Sequence, residues 1–450
     1  VRNGKAEWSV FMDWLEKYKD KEMTADEAIA RFVKNDDFIF ISSGPSAAVL
    51  CTALFDAIEA GKLTGITGDG SMAMRDLTLN GRNLTPEQFR YKSYFFNTYE
   101  QGGVPTGKTS FVPLTFTNLE RYYAMVSPDV VFAALTPPDE EGYCNASCFA
   151  SGQLPDLFKH GKKIIAELNP RFPRVCGENN EIHMDRISAF LVNDGPCPEI
   201  PIVEPTEKEQ KISNFILNHV PNGACIQLGI GGMPNALGYG LRSLKDIGIH
   251  SEMLTASMVE LMKEGVINNS RKNFMPGVAA CAFALGKQFQ YDYVDNYNPD
   301  FYFLPFSTLT NPINIGANDN FISVNNALEI DLTGATCSET IGFKQFSGTG
   351  GQIDFVRGAT ISKGGKSFIA LNATYIDKQG QMKSHIVLDL APGAQTTTLR
   401  SEIMYVVTEY GCVNLWGQDV PTRVKLLVSI AHPDFRDELT FQAKKAGLLY

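Results

Sequence analysis

The stretch Cys225-Ile-Gln-Leu-Gly-Ile-Gly-Gly-Met-Pro-Asn-Ala-Leu237 continues through an amphipathic run to Gly248-Ile-His-Ser-Glu-Met253. A short apolar strand, a glycine turn, a helix and a second strand follow one another, the unit from which an open α/β sheet is wound. Pro234 suits the first turn of the helix, where its missing N–H would have no intrahelical partner. Gly229, Gly231 and Gly232 leave the backbone N–H groups ahead of the helix uncrowded, so that a phosphate, a carbonyl or a pantetheine amide could approach them. A turn of this kind serves equally well as a plain connection, and spacing alone leaves both readings open.

The pattern occurs twice. Asp37-Phe-Ile-Phe-Ile41 runs into Ser42-Ser-Gly-Pro45 and then into a helix carrying Val49, Leu50, Leu54, Phe55 and Ile58. Aligning Pro45 with Pro234 sets Ile41 beside Ile230 and Ala47 beside Ala236, and a charged helix precedes each strand, at 24–35 and at 207–219. The offset of 189 residues is too long for a solenoid period and fits a duplicated domain. Where the second copy has Gly231 and Gly232 the first has Ser42 and Ser43, so close approach of a ligand is better supported in the second.

Residues 8 to 35 read as helix, with Trp8, Phe11, Trp14 and Leu15 on one face and Thr24-Ala-Asp-Glu27 as a capping box. Asp129-Val-Val-Phe-Ala-Ala-Leu135 and Lys163-Ile-Ile-Ala-Glu-Leu168 are apolar runs of the kind buried in parallel sheets. The four prolines within 194–206 mark a boundary, which gives domains at 1–198 and 199–450. Two domains also suit a 450-residue chain. The expected fold is therefore α/β, with two similar open α/β domains related by a pseudo-twofold duplication and the active site in the cleft between them.

A net charge of -10 argues against a nucleic-acid or anionic-membrane partner, because both need clustered Lys and Arg. No apolar run approaches a membrane span and the first residues carry no signal-peptide core, so a cytoplasmic location is expected. The nine scattered cysteines read as buried thiols, and the six histidines offer no metal set. There is no Gly-x-Ser-x-Gly elbow, no P-loop Lys-Ser/Thr after either glycine loop, and no third glycine for a dinucleotide fingerprint.

Glu252 ends the strand that follows the glycine loop and helix, a position from which side chains reach a cleft, and strand alternation puts it on the face of His250. A carboxylate there can be general base, metal ligand or covalent nucleophile, or simply a solvated acid. Other acids compete: Glu260 and Glu264 read as helix surface, Glu329 and Asp331 alternate on a strand, and Glu409 lies in the apolar run Tyr405-Val-Val-Thr-Glu-Tyr-Gly411, where it needs a partner or a role. The glycines at 348, 350 and 351 form a second loop able to cradle an anion or a carbonyl.

Five motifs, in order, resemble the acetyl-CoA hydrolase/transferase family of CoA-transferases: Gly229-Ile-Gly-Gly-Met-Pro234, Gly248-Ile-His-Ser-Glu-Met253, Ser347-Gly-Thr-Gly-Gly-Gln-Ile-Asp-Phe355, Val407-Thr-Glu-Tyr-Gly411 and Ile430-Ala-His-Pro-Asp-Phe-Arg436. The resemblance is densest over 207–440, and within the family it is greatest to the butyryl-CoA:acetate and 4-hydroxybutyrate branches. It implies transfer of CoA between a short-chain acyl-CoA and a carboxylate such as acetate. Glu252 stands where the family has its nucleophile, which passes through an acyl-glutamyl anhydride and a glutamyl-CoA thioester. The resemblance further points to Gly350 and Gly351 as oxyanion donors, and to Gly229, Ile230, Gly231, Gly232 and Met233 as the CoA-binding loop. Asn325 and Ala327 fall in the segment lining CoA or the acyl group, and Glu409 matches an acid close to the site. CoA and acyl-CoA are substrates, with no permanently bound cofactor and no metal, and relatives imply a homo-oligomer, dimer or tetramer. Alternatives are a hydrolase on the same scaffold, with water as acceptor, and a catalytically silent CoA-binding protein. The departure at Ser42-Ser-Gly-Pro45 leaves ligand contact from that loop unsupported.

Overall fold

The computed structural model describes residue 14 and residues 16–43, 47–72, 82–229 and 231–450. Ile230, Trp8, Phe11, Leu15 and the Gly44-Pro45 part of the first loop lie outside the described residues. The chain falls into two compact units. The first gathers the described residues up to Leu114 with Asn118–Ile200 and Cys281–Ser307; the second takes Thr115–Thr117, Pro201–Ala280 and Thr308–Tyr450. The first thus draws on a segment well beyond residue 198.

In the first unit, parallel strands stand in the order Thr109–Phe111, Phe89–Ser93, Ile66–Ser71, Phe38–Ser43, Val130–Leu135, Ile164–Leu168 and Ala189–Val192. All of Ile164–Leu168 is buried, as an apolar strand covered on both faces must be. Glu167 is the one acid in it, and it is paired: Oε1 accepts from Leu50 N at 2.9 Å and Oε2 from Asn193 Nδ2 at 2.7 Å. Leu50 lies in the first turn of the helix Ala48–Glu59, whose N-cap residue Ala47 supplies no side-chain cap, so Glu167 takes that place across the sheet. The expected helix over 8–35 is not continuous: Trp14, Glu16 and Lys17 are helical, a short 3-10 turn follows at Lys19–Lys21, and a separate α-helix runs over Ala25–Phe32. The capping box is the reason. Thr24 holds extended backbone so that its side chain can accept from Glu27 N, and a helix cannot run through a residue that caps the next one.

In the second unit, parallel strands follow the order Gly248–Leu254, Cys225–Gln227, Phe321–Asn326, Lys366–Ala370 and Tyr405–Thr408, with Gly411–Asn414 antiparallel beyond. Both units wind alike. A first strand (Phe38–Ser43 or Cys225–Gln227) takes its successor on one side, and the chain then returns to build outward on the other. The reversal makes the gap between Cys225–Gln227 and Phe321–Asn326 a topological switch point, where loops at the carboxyl ends of strands diverge and leave a crevice. Both glycine loops open helices in this unit, Gly232–Gly240 and Gln352–Ile361. The second helix packs through Phe355 and Ala359 onto Cys225, Ile315 and Phe321.

Among the described residues no helix is long and apolar enough to cross a membrane. All nine cysteines are free thiols, buried apart from the half-buried Cys176 and Cys412.

Candidate active site

Glu252 occupies the fifth position of the strand Gly248–Leu254 and is half-buried between fully buried neighbours. Its strand mates are spoken for. Ser251 Oγ donates to Leu228 O at 3.1 Å, which ties the strand to the start of the first glycine loop. His250 is fully buried; its Nε2–H donates to Leu309 O at 2.7 Å and its Nδ1 accepts from Asn318 Nδ2 at 3.4 Å. Burial first, and then the charge of Lys272, push its pKa down to about 3, so it is a neutral structural imidazole.

Glu252 has no such tie. Its carboxyl forms no hydrogen bond or ion pair among the described residues. Burial, and then repulsion from Asp354, push its pKa up to about 8. The second glycine loop stands directly against it: a Cβ added to Gly351 would lie 2.8 Å from Glu252 Oε2 and 3.1 Å from its Cδ. Only a residue without a side chain allows that approach. Gly350 has φ +56°, a left-handed conformation that favours glycine, and its carbonyl accepts from Phe116 N at 3.1 Å. Gly351 is the N-cap of Gln352–Ile361, so the N-terminus of that helix begins beside the carboxyl.

The first glycine loop divides by role. Among the described residues a Cβ on Gly229 would meet nothing within 4 Å, and on Gly231, at φ +122°, only Pro234 Cδ at 3.9 Å. Gly232 is different, because its Cβ would lie 2.5 Å from Glu209 Oε2. Glu209 closes the capping box of the helix Glu207–Leu217, so a side chain at Gly232 would press on that cap. Met233 turns its side chain into the core and can offer only its backbone. Asn325 is half-buried on the far side of the switch point, where its Nδ2 donates to Ser323 Oγ at 2.8 Å. Ala327, just past that strand, donates its N–H to Ala370 O at 3.1 Å.

The competing acids all have structural partners. Arg242 binds Glu260 at 3.3 Å and Glu264 at 2.8 Å. Glu329 Oε1 accepts from Ala391 N at 2.9 Å, and Asp331 Oδ1 accepts from Gly334 N at 2.8 Å. Glu409 lies not within a strand but in the turn between Tyr405–Thr408 and Gly411–Asn414. Its Oε2 accepts from Ala373 N at 2.7 Å and its Oε1 faces Lys208 Nζ at 3.2 Å. Four strand spacings, roughly 19 Å, separate its strand from that of Glu252.

Asp354 was not singled out by the motifs, although it lies three residues after Gly351, one helical turn into Gln352–Ile361. It is buried, one of its oxygens has no hydrogen-bond partner among the described residues, and burial pushes its pKa up to about 6 against the hydrogen bonds it receives from Thr117. Helical spacing from the glycine was the signal that could have found it.

Two family models match the chain: the acetyl-CoA hydrolase/transferase N-terminal domain over residues 9–204 and the C-terminal domain over residues 286–443. Glu252 and the first glycine loop lie between the matched ranges. A butyryl-CoA:acetate CoA-transferase of Anaerostipes caccae is 36% identical, covering 97% of this chain and 99% of that one. A 4-hydroxybutyrate coenzyme A transferase of Clostridium kluyveri is 34% identical over 96% of this chain and 100% of its own length. The crystal structure of RipA from Yersinia pestis superposes with a TM-score of 0.88 at 31% identity, covering 96% of this chain and 99% of that one. The chain belongs to the acetyl-CoA hydrolase/transferase family.

Proposed function

We propose that this CoA-transferase moves CoA from a short-chain acyl-CoA, of the butyryl or 4-hydroxybutyryl type, to a carboxylate such as acetate, with Glu252 as covalent nucleophile. The observation that carries the reading is the half-buried carboxyl of Glu252, unpaired among the described residues and standing against Gly351. A carboxylate that is poorly solvated and unpaired is a better nucleophile than one held in an ion pair. One oxygen of Glu252 attacks the thioester carbonyl and CoA leaves as thiolate, giving a mixed anhydride. The thiolate then attacks the glutamyl carbonyl, the first carboxylate departs, and the enzyme carries CoA as a glutamyl thioester. An incoming carboxylate reverses both steps. Each addition places negative charge on a carbonyl oxygen, and the N–H groups at Gly350 and Gly351 are the donors for it. Gly229 and Gly231, open to an approaching ligand, and Asn325 and Ala327 across the switch point form the cradle for CoA. Every bond in this sequence is made by the carboxylate and the two substrates, so it uses no resident cofactor.

The test is trapping. Protein incubated with butyryl-CoA alone and then treated with hydroxylamine or borohydride should carry the modification on the Glu252 peptide, located by mass spectrometry. Active protein with that peptide unmodified would overturn the mechanism. With acetate present, formation of acetyl-CoA supports transfer, whereas free CoA as the sole product would make the enzyme a hydrolase.

A further inference from the structure

Two consecutive residues, Ser338 and Glu339, hold the second glycine loop from both sides. Glu339 is buried and among the described residues receives only neutral donors: Thr349 Oγ1 donates to Oε1 at 3.2 Å, Thr397 Oγ1 to the same oxygen at 3.0 Å, and Gln345 Nε2 to Oε2 at 3.3 Å. Its backbone carbonyl accepts from Phe346 N at 2.8 Å and Ser347 N at 3.1 Å, which closes the hairpin Thr340–Gln345 and delivers the chain into the loop. On the other side, Gln352 Nε2 donates to Ser338 Oγ at 2.9 Å and to Thr398 Oγ1 at 3.1 Å. The two residues between these anchors are Gly350 and Gly351, the second of which stands against Glu252.

We propose that Glu339 is a positioning residue for the transfer reaction: by fixing Thr349 it holds the Gly350-Gly351 turn where its N–H groups meet charge developing at Glu252. The proposal rests on the reading of Glu252 as nucleophile. A carboxylate suits the task because it can only accept, so each neighbouring hydroxyl must turn its hydrogen inward. Such a network specifies one arrangement of a turn whose glycines would otherwise leave it free. An oxyanion donor acts through its placement at the moment of addition, so loosening the turn should lower turnover with little effect on substrate capture.

The experiment uses the full chain with butyryl-CoA and acetate, and compares Glu339→Gln, Thr349→Val and Thr349→Ser, with Glu252→Ala as control. Glu339→Gln keeps the shape but turns an NH2 towards groups that already donate, and Thr349→Val removes the donor while Thr349→Ser keeps it. In Glu339→Gln and Thr349→Val, kcat should fall about 10- to 100-fold with KM for butyryl-CoA within about threefold of wild type. Single-turnover formation of the CoA-protein adduct should slow by the same factor, and Thr349→Ser should restore most of it. Turnover of folded Glu339→Gln close to wild type, or a loss lying wholly in KM, would overturn the proposal. If Glu339→Gln does not fold, equal turnover of the two Thr349 variants overturns it instead. A fully active Glu252→Ala sinks the nucleophile reading itself, whereas an inactive Glu252→Ala beside unimpaired Glu339→Gln and Thr349→Val sinks only the role of Glu339.

Discussion

A carboxyl that attacks a thioester must be ionised to react and poorly stabilised to react fast, and the surroundings of Glu252 favour the second condition over the first. With its pKa pushed up to about 8 by burial and by Asp354, only part of the enzyme holds the anion at neutral pH. The rate kcat/KM, which reports the free enzyme, should therefore rise with pH through about 8, and Asp354→Asn should move the midpoint down by removing the repelling charge. A pH–rate profile on both proteins checks this, and coincident midpoints would show that Asp354 does not act on Glu252. The same shift has a consequence for stability. Between the ordinary value of 4.5 and about 8 the unfolded chain gives up this proton while the folded chain keeps it, so stability falls as pH rises through that window. Glu252→Gln escapes the loss. Its melting temperature should match wild type near pH 4.5 and exceed it at pH 8.5, while its turnover drops by about 10³-fold or more. Thermal melts at the two pH values and a steady-state assay test both halves.

Among the helices of the second unit, three glycines at the heads of two of them differ in what an added side chain would meet. In Gly351→Ala the backbone is unstrained, since φ there is −97°, but the new Cβ meets Glu252 Oε2 at 2.8 Å. Turnover should fall about 10- to 100-fold with only a small change in melting temperature. Gly232→Ala should do the reverse: displacing Glu209 breaks the cap on Thr206, a loss of about 0.5–2 kcal/mol, with catalysis in the folded fraction nearly intact. Gly229→Ala meets open space, so its stability should stay within about 0.5 kcal/mol of wild type and its effect should appear in KM for the acyl-CoA. Denaturant melts with steady-state kinetics on the three variants decide the matter; a common pattern in all of them would remove the distinction. The order strand, glycine loop, helix, strand and the identity of Glu252 as the acid to weigh were legible, because periodicity and glycine spacing are local. The reason for Gly232 was not, since Glu209 lies a helix away and nothing in Gly-Ile-Gly-Gly marks which glycine faces it. Glu339 was invisible for the same reason. Its partner Thr397 is 58 residues distant in the chain, and a lone acid before a hairpin looks like surface until that hydroxyl is seen on it.

At the scale of the whole molecule, the duplication shows in the shared winding of the two sheets, but the units are not consecutive halves of the chain. Cys281–Ser307 returns to the first unit and completes it. Phe303 N donates to Cys176 O and Glu178 N to Phe303 O, both at 2.8 Å, Phe306 N donates to Gly152 O at 2.7 Å, and Ile200 N donates to Gly286 O at 3.0 Å. Buried Tyr291 packs edge-on to Phe149 with ring centroids 4.9 Å apart, and Gly152 has no room for a Cβ because the ring of Phe306 would lie 2.8 Å from it. A fragment ending at residue 198 loses every one of these contacts and exposes Phe149 and the main chain around Cys176. Residues 1–198 expressed alone should therefore bind a hydrophobic dye and melt without cooperativity. Residues 1–200 joined through a flexible Gly/Ser linker to 281–307 should melt cooperatively, because the linker replaces only chain that belongs to the other unit. Circular dichroism melts and dye binding on the two polypeptides distinguish the cases. A cooperative melt for residues 1–198 alone would mean that the returning segment decorates the first unit and does not complete it, and the division of the chain would then fall where the proline-rich stretch places it.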